Sequence, residues 1–245
     1  MSPLFEELAH SSTRLGELSL RRRRILSLDT EVVEIKLGGE YLMSSLFTAS
    51  EIALAELGLR EITDTGADTD PHLDIVVGGL GLGYTARDVL ANNRVRSLIV
   101  VEALETVIEW HESGLIPLGV ELTADPRCRL ETGDFFTRAA STDGFDPAQP
   151  GRRFDAVLVD IDHSPDMLLH EDNSSFYTPD GLRRVANHLR PGGVFGLWSN
   201  DRPDDAFTTR LSTVFTGCRA EPVTFHNPLQ DTDYTQTVYI ARRDD

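Results

Sequence analysis

The feature that most constrains this chain is a glycine-rich turn that joins two apolar segments. The apolar run 73–78 is followed by Gly79, Gly81 and Gly83, and a later apolar run ends at Glu102. Glycine allows the backbone to turn tightly and lets a ligand approach it closely. Glu102 follows Gly83 by about 20 positions, where a doubly wound sheet places the carboxylate that binds a ribose diol. The spacing predicts a binding site for a nucleoside-containing ligand.

Strand and helix patterns alternate through the rest of the chain. The predicted strands are 73–78, 96–102, 128–132, 154–160 and 193–199, and the predicted helices are 84–92, 103–113, 135–140 and 178–189. Strands that are apolar throughout suit a parallel sheet buried on both faces. The β segments 220–225 and 234–240 are too close for a parallel crossover and should pair antiparallel. The pattern predicts an α/β fold, a Rossmann-like sheet of the class I S-adenosylmethionine-dependent methyltransferase type.

The residues before this sheet predict a smaller unit. Residues 1–20 have the pattern of a loosely helical or irregular arm. Short β-prone runs within 24–43 predict an antiparallel hairpin or a three-stranded sheet. Ser50 is the predicted N-cap of a helix that runs to about Leu59. A linker is expected at 62–71.

We therefore expect two units. Residues 1–60 should form the arm, the small N-terminal β element and its helix, and residues 61–245 the Rossmann-like domain. A β element of this size cannot bury both of its faces. It should pack on the main domain or on a second copy of itself, and we predict a homodimer through residues from about 20 to 45.

The composition argues against several kinds of partner. A net charge of −17 repels phosphate groups, which excludes nucleic-acid and membrane partners from our expectation. The acidity could serve solubility or attract a cationic small-molecule substrate. No apolar run approaches the roughly 20 residues of a membrane span, and the first residues lack the order of a signal peptide. Cys128 and Cys218 have neither metal-ligand spacing nor a disulfide framework, and we expect a cytoplasmic location.

The four arginines at 21–24 are the one strongly basic stretch. They predict a solvated strand edge or ion pairs with the many acids nearby, with an anion site as the alternative.

The ends of the predicted parallel strands carry the polar chemistry. Gly133 and Asp134 follow the third strand, and Asp160 and Asp162 follow the fourth. Ligands of open α/β sheets bind at the carboxyl ends of the strands, so these residues should lie in one site. Asp134 also precedes a helical stretch, and a role as helix N-cap is the alternative for it.

Asp160 is the candidate general base. Asp160 and Asp162 face the same side if the strand continues that far, and close like charges raise the pKa of one carboxyl group. His163 adds a group that titrates near neutrality. We therefore predict Asp160 as the base with Asp162 and His163 assisting. A metal site and a plain polar loop are the alternatives, and no metal is predicted. Trp198, at the fifth strand end, could form a wall of the pocket or pack in the core.

These motifs, in this order, resemble the spermidine synthase family of aminopropyltransferases and its bacterial relatives. The resemblance runs from about Leu28 to Ser199 and includes Gly38–Gly39 and the later segments 176–182 and 189–193. It implies S-adenosylmethionine or decarboxylated S-adenosylmethionine as co-substrate. It further implies that Glu102 holds the ribose hydroxyls, Asp134 the adenine amino group, and that Asp160 lies where the aminopropyl acceptor is bound and deprotonated.

The chain also departs from that family. Leu82 stands where the family's glycine turn has an acid for the propylamine of the donor. The second acid of the gate motif is displaced within 160–165, and the tyrosine–glutamine pair expected around Ser44 to Glu51 is not evident. We therefore expect little or no spermidine formation from putrescine and alkylation of another small nucleophile. The alternatives are methyl transfer, a non-catalytic nucleoside-binding dimeric protein, and nicotinamide binding.

Overall fold

The computed structural model describes residues 4–62 and 72–244. Most of the linker predicted at 62–71, and the first three residues of the predicted arm, lie outside the described residues. Within the described ranges, no helix is both long enough and apolar enough to cross a membrane.

The N-terminal residues form a four-stranded antiparallel sheet in the order β1-β2-β3-β4. Its strands are β1 (Phe5–Thr13), β2 (Gly16–Ile25), β3 (Thr30–Leu37) and β4 (Glu40–Ser44). The prediction of a helical or irregular arm over 1–20 is therefore wrong for the described residues. Strand β1 carries mostly polar, exposed side chains, so it lacks the apolar alternation that identifies a half-buried strand. Its pairing with β2 gives it the extended conformation.

The arginine run lies on β2, an inner strand between β1 and β3. Arg21 and Arg23 both reach the buried carboxylate of Glu34, with N···O distances of 3.2 and 2.7 Å. The other two arginines pair with nearby acids as well. The predicted ion pairs are confirmed, whereas the predicted strand edge is wrong.

Helix α1 (Ala49–Glu61) follows this sheet. It begins after Thr48 instead of at the predicted N-cap Ser50, which is buried in the first turn. The Ser50 hydroxyl makes no cap because it lies within hydrogen-bond distance of Glu51 and Gln236.

The seven-stranded central sheet has the order β10-β11-β9-β8-β5-β6-β7. Its strands are β5 (Leu73–Gly78), β6 (Val95–Glu102), β7 (Cys128–Thr132), β8 (Phe154–Val159), β9 (Leu189–Ser199), β10 (Thr216–Asn227) and β11 (Thr232–Arg242). Strands β5 to β9 are parallel, and the β10–β11 hairpin is antiparallel. The predicted Rossmann-like sheet of the methyltransferase type, finished by an antiparallel hairpin, is confirmed.

The helices that cover this sheet are short. They are α2 (Tyr84–Ala91), α3 (Glu105–Glu112), α4 (Gly119–Ala124), α5 (Phe135–Ala140), a 3₁₀ helix (Glu171–Tyr177), α6 (Pro179–Ala186) and α7 (Asp205–Leu211). The predicted helices do not include α4, the 3₁₀ helix or α7, which have six or seven residues each.

The two sheets share one hydrophobic core. Leu18 and Leu20 of β2 and Ile35 of β3 belong to the same buried cluster as Leu54 of α1 and Val77 of β5. The expectation that the β element packs on the main domain is therefore confirmed. A second cluster, rich in phenylalanine, covers the opposite face of the central sheet. The division at residue 60 stays a prediction.

Candidate active site

A cavity of about 780 Å³ lies between the N-terminal sheet and the carboxyl ends of the parallel strands. This volume is within the range of small-molecule sites. We call it the main cavity. The lining residues with polar or aromatic side chains include Arg14, Glu51, Glu102, Asp134, Asp160, His163, His170, Asp172, Asn173 and Trp198. The five strand ends therefore meet in one site, as the sequence predicts.

Two of the three glycines of the turn line this cavity. Gly79 and Gly81 have φ of 90° and 49°, a region that residues with side chains rarely adopt. A Cβ atom on Gly79 would lie 2.0 Å from the carbonyl oxygen of Asp160, so only glycine fits where these strand ends meet. Gly83, with φ of 93°, precedes α2 and packs against Leu122. The structure thus places Gly83 outside the lining, while ligand contact by the other two stays a prediction.

Glu102 lies at the end of β6, across the glycine turn. Its Oε2 accepts the backbone N–H of Leu80 at 2.9 Å, and its Oε1 accepts that of Leu104 at 2.9 Å. Burial raises the pKa of Glu102, and these backbone bonds partly offset the increase. The carboxylate is therefore held rigidly at the cavity wall, and its contact with ribose hydroxyls stays a prediction.

Gly133 and Asp134 follow β7 and line the same cavity. Asp134 Oδ1 accepts the backbone N–H of Thr137 at 2.7 Å, so Asp134 is the N-cap of α5. Its Oδ2 lies 3.6 Å from Arg14 Nη2, at the turn between β1 and β2. The cap uses one oxygen only, and contact of the other with an adenine amino group stays a prediction.

Asp160 shares the main cavity with a second carboxyl group. Its Oδ2 accepts the Thr85 hydroxyl at 2.9 Å, and Glu51 of α1 lines the cavity beside it. Burial raises the pKa of Asp160 to about 6, against the Thr85 bond, which lowers it. Burial and the charge of Asp160 together raise the pKa of Glu51 to about 7. Carboxyl groups with such pKa values are suited to exchange protons near neutral pH.

Asp162 is not the partner of Asp160, contrary to the sequence prediction. Strand β8 ends at Val159, so the two acids do not alternate along a strand. Asp162 is 2% exposed and accepts the Leu169 N–H, the Asn173 amide and the Tyr177 hydroxyl at 2.7 to 2.9 Å. These bonds hold the segment between β8 and α6, and an assisting role of Asp162 in proton transfer stays a prediction.

Glu51 was not predicted as a site residue, although its position in the sequence indicates one. Glu51 precedes Leu54 and Ala55 of the apolar helix face by three and four residues, so it points the same way. A carboxyl group on the buried face of a helix is costly unless it has a partner or a function. A glutamate on the apolar face of a helix therefore predicts a residue that has a partner or a function.

His163 and Trp198 also line the main cavity. Trp198 donates its indole N–H to Ser50 Oγ at 2.8 Å and packs against the hydrophobic core, so it meets both of its sequence alternatives. His163 also lines a second cavity of about 550 Å³, which shares Leu37, Leu42 and Leu169 with the main cavity. An extended ligand could therefore pass His163 toward the outside.

Leu82 does not reach the main cavity. It is 2% exposed and belongs to the apolar core. The family that the chain resembles has an acid at this position, which binds a propylamine. This chain has a buried aliphatic side chain there instead. Among the described residues, no group of three or more His, Cys, Asp or Glu side chains is arranged to hold a metal ion.

No model of a known protein family matches the chain. Polyamine aminopropyltransferase 2 of Pseudomonas aeruginosa is 29% identical to it over 157 residues, which are 61% of this chain and 41% of that protein. The polyamine aminopropyltransferase of Prochlorococcus marinus is 30% identical over 142 residues, 57% and 44% of the two chains. The matches span less than half the length of these relatives, so their activity and substrates bear on this chain only as a proposal.

Two solved structures share the fold. A spermidine synthase in complex with the transition state analogue AdoDATO has a TM-score of 0.70 and 17% identity, over 96% of this chain and 72% of that one. Spermidine synthase from Thermotoga maritima has a TM-score of 0.68 and 17% identity, over 96% and 71%. Fold and strand-end site define a Rossmann-like protein of the class I methyltransferase type. Together with the curated similarities, they make the chain spermidine synthase-like, which confirms the resemblance seen in its motifs.

Proposed function

We propose that this protein is an aminopropyltransferase-like enzyme, which binds S-adenosylmethionine or its decarboxylated form and alkylates a small cationic nucleophile. The observation that carries the proposal is the distribution of chemistry in one cavity. Glu102 at the end of β6 and Asp160 at the end of β8 lie on either side of β5 and its glycine turn. The site thus offers a nucleoside subsite and an acid–base subsite next to each other.

The residues of the cavity fit an adenosyl donor. Gly79 and Gly81 leave the turn without side chains on its cavity side, and Glu102 presents a fixed carboxylate for a diol. The volume of about 780 Å³ leaves room for a second small molecule beside the nucleoside. The donor supplies a sulfonium-bound carbon as electrophile.

The chain's own residues position the acceptor and take its proton. The lone pair of the acceptor nitrogen forms the new C–N bond, the C–S bond breaks, and its electron pair stays on sulfur as a thioether. Asp160 receives the proton that the nitrogen loses. Proximity of the two reactants and this local base provide the rate enhancement.

The charge of the acceptor side supports a cationic amine. Asp160 and Asp172 line the cavity, and Trp198 adds an aromatic face. Carboxylates attract an ammonium group, and an indole face stabilises it by a cation–π contact. The net charge of −17 would draw such a substrate toward the protein.

Methyl transfer is the second candidate function. The buried Leu82 favours it, because no carboxylate stands there to recognise the propylamine of the decarboxylated donor. We accordingly expect spermidine formation from putrescine to be weak or absent. Efficient spermidine formation by the native protein, measured by chromatography of the products, would contradict this expectation.

Replacing Glu102 with alanine should weaken the binding of adenosyl ligands at least tenfold. Charge-assisted hydrogen bonds to a diol contribute about 1.5–3 kcal/mol each, and tenfold corresponds to about 1.4 kcal/mol. Calorimetry and thermal shifts with S-adenosylmethionine, its decarboxylated form, methylthioadenosine and NAD measure the effect. Glu105→Ala, an exposed acid at the start of α3, is the control. A Glu102→Ala variant with native affinity, or stabilisation by NAD alone, would refute the proposed donor.

We further propose a homodimer through the N-terminal sheet and a cytoplasmic location. Leu26 and Tyr41 lie in the predicted interface segment and are 68% and 52% exposed. Light scattering should give about twice the chain mass of 27.2 kDa. Leu26→Asp should weaken the dimer, and Val120→Asp, at an exposed apolar position on α4, should not. A monomeric mass of the native protein at micromolar concentration would contradict the dimer.

A further inference from the structure

The hydrogen bonds around the Ser50 hydroxyl indicate the protonation state of Glu51. Ser50 Oγ has three polar neighbours: Trp198 Nε1 at 2.8 Å, Gln236 Oε1 at 2.6 Å and Glu51 Oε2 at 2.8 Å. The indole N–H can only donate. The other two atoms are oxygens, and a serine hydroxyl has one proton to give.

All three contacts of the Ser50 hydroxyl can be hydrogen bonds only when one of those two oxygens carries a proton. The Gln236 amide is oriented by its Nε2, which donates to Asn200 Oδ1 at 2.9 Å, so its oxygen faces Ser50 and must accept. The Ser50 hydroxyl therefore donates to Gln236, and its lone pairs accept from Trp198 and from a protonated Glu51. A charged Glu51 would compete with Gln236 for a single proton, in a position that is 7% exposed.

Asp160 has the opposite surroundings. It accepts a hydrogen bond from the Thr85 hydroxyl at 2.9 Å, which stabilises a carboxylate. Like charges held close together cannot both ionise without cost. One proton for the two carboxyl groups, placed on Glu51, satisfies both environments.

We propose that Glu51 and Asp160 share one proton at neutral pH and act as a single acid–base pair, in which the proton resides on Glu51 and Asp160 is left as the free base that deprotonates the acceptor. This inference rests on the proposed function for its catalytic part only. Glu51 is a positioning residue that acts through Asp160. Glu51 of α1 is thus the second carboxyl group of the pair, the role that the sequence predicts for Asp162.

Other ionisable side chains lie near the pair. The charge of Glu51 also acts on the Tyr84 hydroxyl of α2, whose pKa burial already raises. The Arg87 guanidinium lies over the Tyr84 ring, 5.0 Å from its centroid. His163 lines the same cavity as Asp160. Both raised carboxyl pKa values agree with a shared proton.

The pair can be tested without any substrate. We would measure melting temperatures from pH 5 to pH 9 for the native protein, Glu51→Gln, Asp160→Asn and the double variant. Both pKa values are raised in the folded state, so native stability falls as pH rises from the ordinary carboxyl range through the folded values. Each single variant should therefore melt about 4 °C or more above the native protein at pH 8.5. At pH 5 the difference should largely disappear.

The double variant decides whether the groups interact. Removing either carboxyl group relieves the same repulsion, so at pH 8.5 the double variant should gain less than the sum of the single variants. Glu56→Gln, on the exposed side of α1, is the matched control and should change little at any pH. Additive gains at every pH would show that the two groups titrate independently and would overturn the proposal. This result does not depend on whether the protein transfers an alkyl group.

The catalytic part is tested by the pH dependence of the rate. The charge that Glu51 gains as pH rises acts on Asp160, so kcat/KM of the native protein should show a second inflexion above the acidic limb of Asp160. Burial raises the pKa of Asp160 without Glu51, so Glu51→Gln should keep the acidic limb and lose the second inflexion. Its affinity for S-adenosylmethionine by calorimetry should be unchanged. Glu51→Asp retains a carboxyl group and should keep the second inflexion. A second inflexion that persists in a folded Glu51→Gln protein would refute the role in catalysis.

Discussion

Replacing Asp160 with asparagine is expected to lower the transfer rate by about 10² or more, while the affinity for the adenosyl donor stays within about twofold of native. Asparagine keeps the shape of the side chain and the contact with Thr85, but it cannot take a proton. The acceptor nitrogen would then have to lose its proton to water. Mass spectrometry of products, with a panel of primary amines and S-adenosylmethionine or its decarboxylated form, measures the rate, and calorimetry measures donor binding.

Asp166→Asn provides the control for this prediction. Asp166 is an exposed acid of the same loop and lies outside the lining of the main cavity, so its loss should leave the rate near native. An Asp160→Asn variant as fast as the native protein would remove Asp160 as base. A variant that lost donor binding instead would move the residue from proton transfer to ligand binding.

The second large effect concerns stability. Asp74→Asn is expected to lower the free energy of unfolding by about 3 kcal/mol, because the buried carboxylate accepts charge-assisted hydrogen bonds from several arginines, and such bonds contribute about 1.5–3 kcal/mol each. Asp74 is 1% exposed at the start of β5. It accepts hydrogen bonds from Arg96 and Arg190, and Arg152 Nη2 lies 2.9 Å from its Oδ1. Urea denaturation at pH 7 measures the loss.

The pH dependence of this effect has the opposite sign to that of the carboxyl pair. Burial alone would raise the pKa of Asp74, but the bonds from Arg96, Arg190 and Ser97 and the charge of Arg152 hold it well below its usual range. Its stabilising contribution is therefore present above the ordinary carboxyl pKa and is lost as pH falls through the folded value. The difference between native protein and variant should shrink in strong acid.

Asp180→Asn is the matched control for Asp74. Its carboxylate also pairs with an arginine, Arg183, but the side chain is 82% exposed. Such a surface pair contributes under about 1 kcal/mol. A loss of the same small size for Asp74→Asn would mean that the arginines around Asp74 find other partners, and the prediction would be wrong.

The strand-end motifs could be predicted because parallel sheets impose strong local patterns. Buried parallel strands are largely apolar, so the sequence predicts 73–78 with the bounds that the structure has. The glycine turn and Glu102 also follow from local requirements, positive φ and a strand end. The N-terminal strand β1 could not be predicted in this way, since its side chains are mostly polar and its partner strand holds it extended.

The acid–base pair of the site could likewise be predicted only in part from the sequence. The sequence determined that Asp160 stands at the end of a buried strand, because apolar residues precede it directly. The partner of Asp160 was decided by the tertiary structure. The strand ends at Val159, and Asp162 accepts hydrogen bonds from the segment that follows it. Glu51 comes to Asp160 only because α1 packs over the strand ends. Sequence periodicity reports which face of an element is buried, whereas the meeting of two elements depends on how the whole core packs.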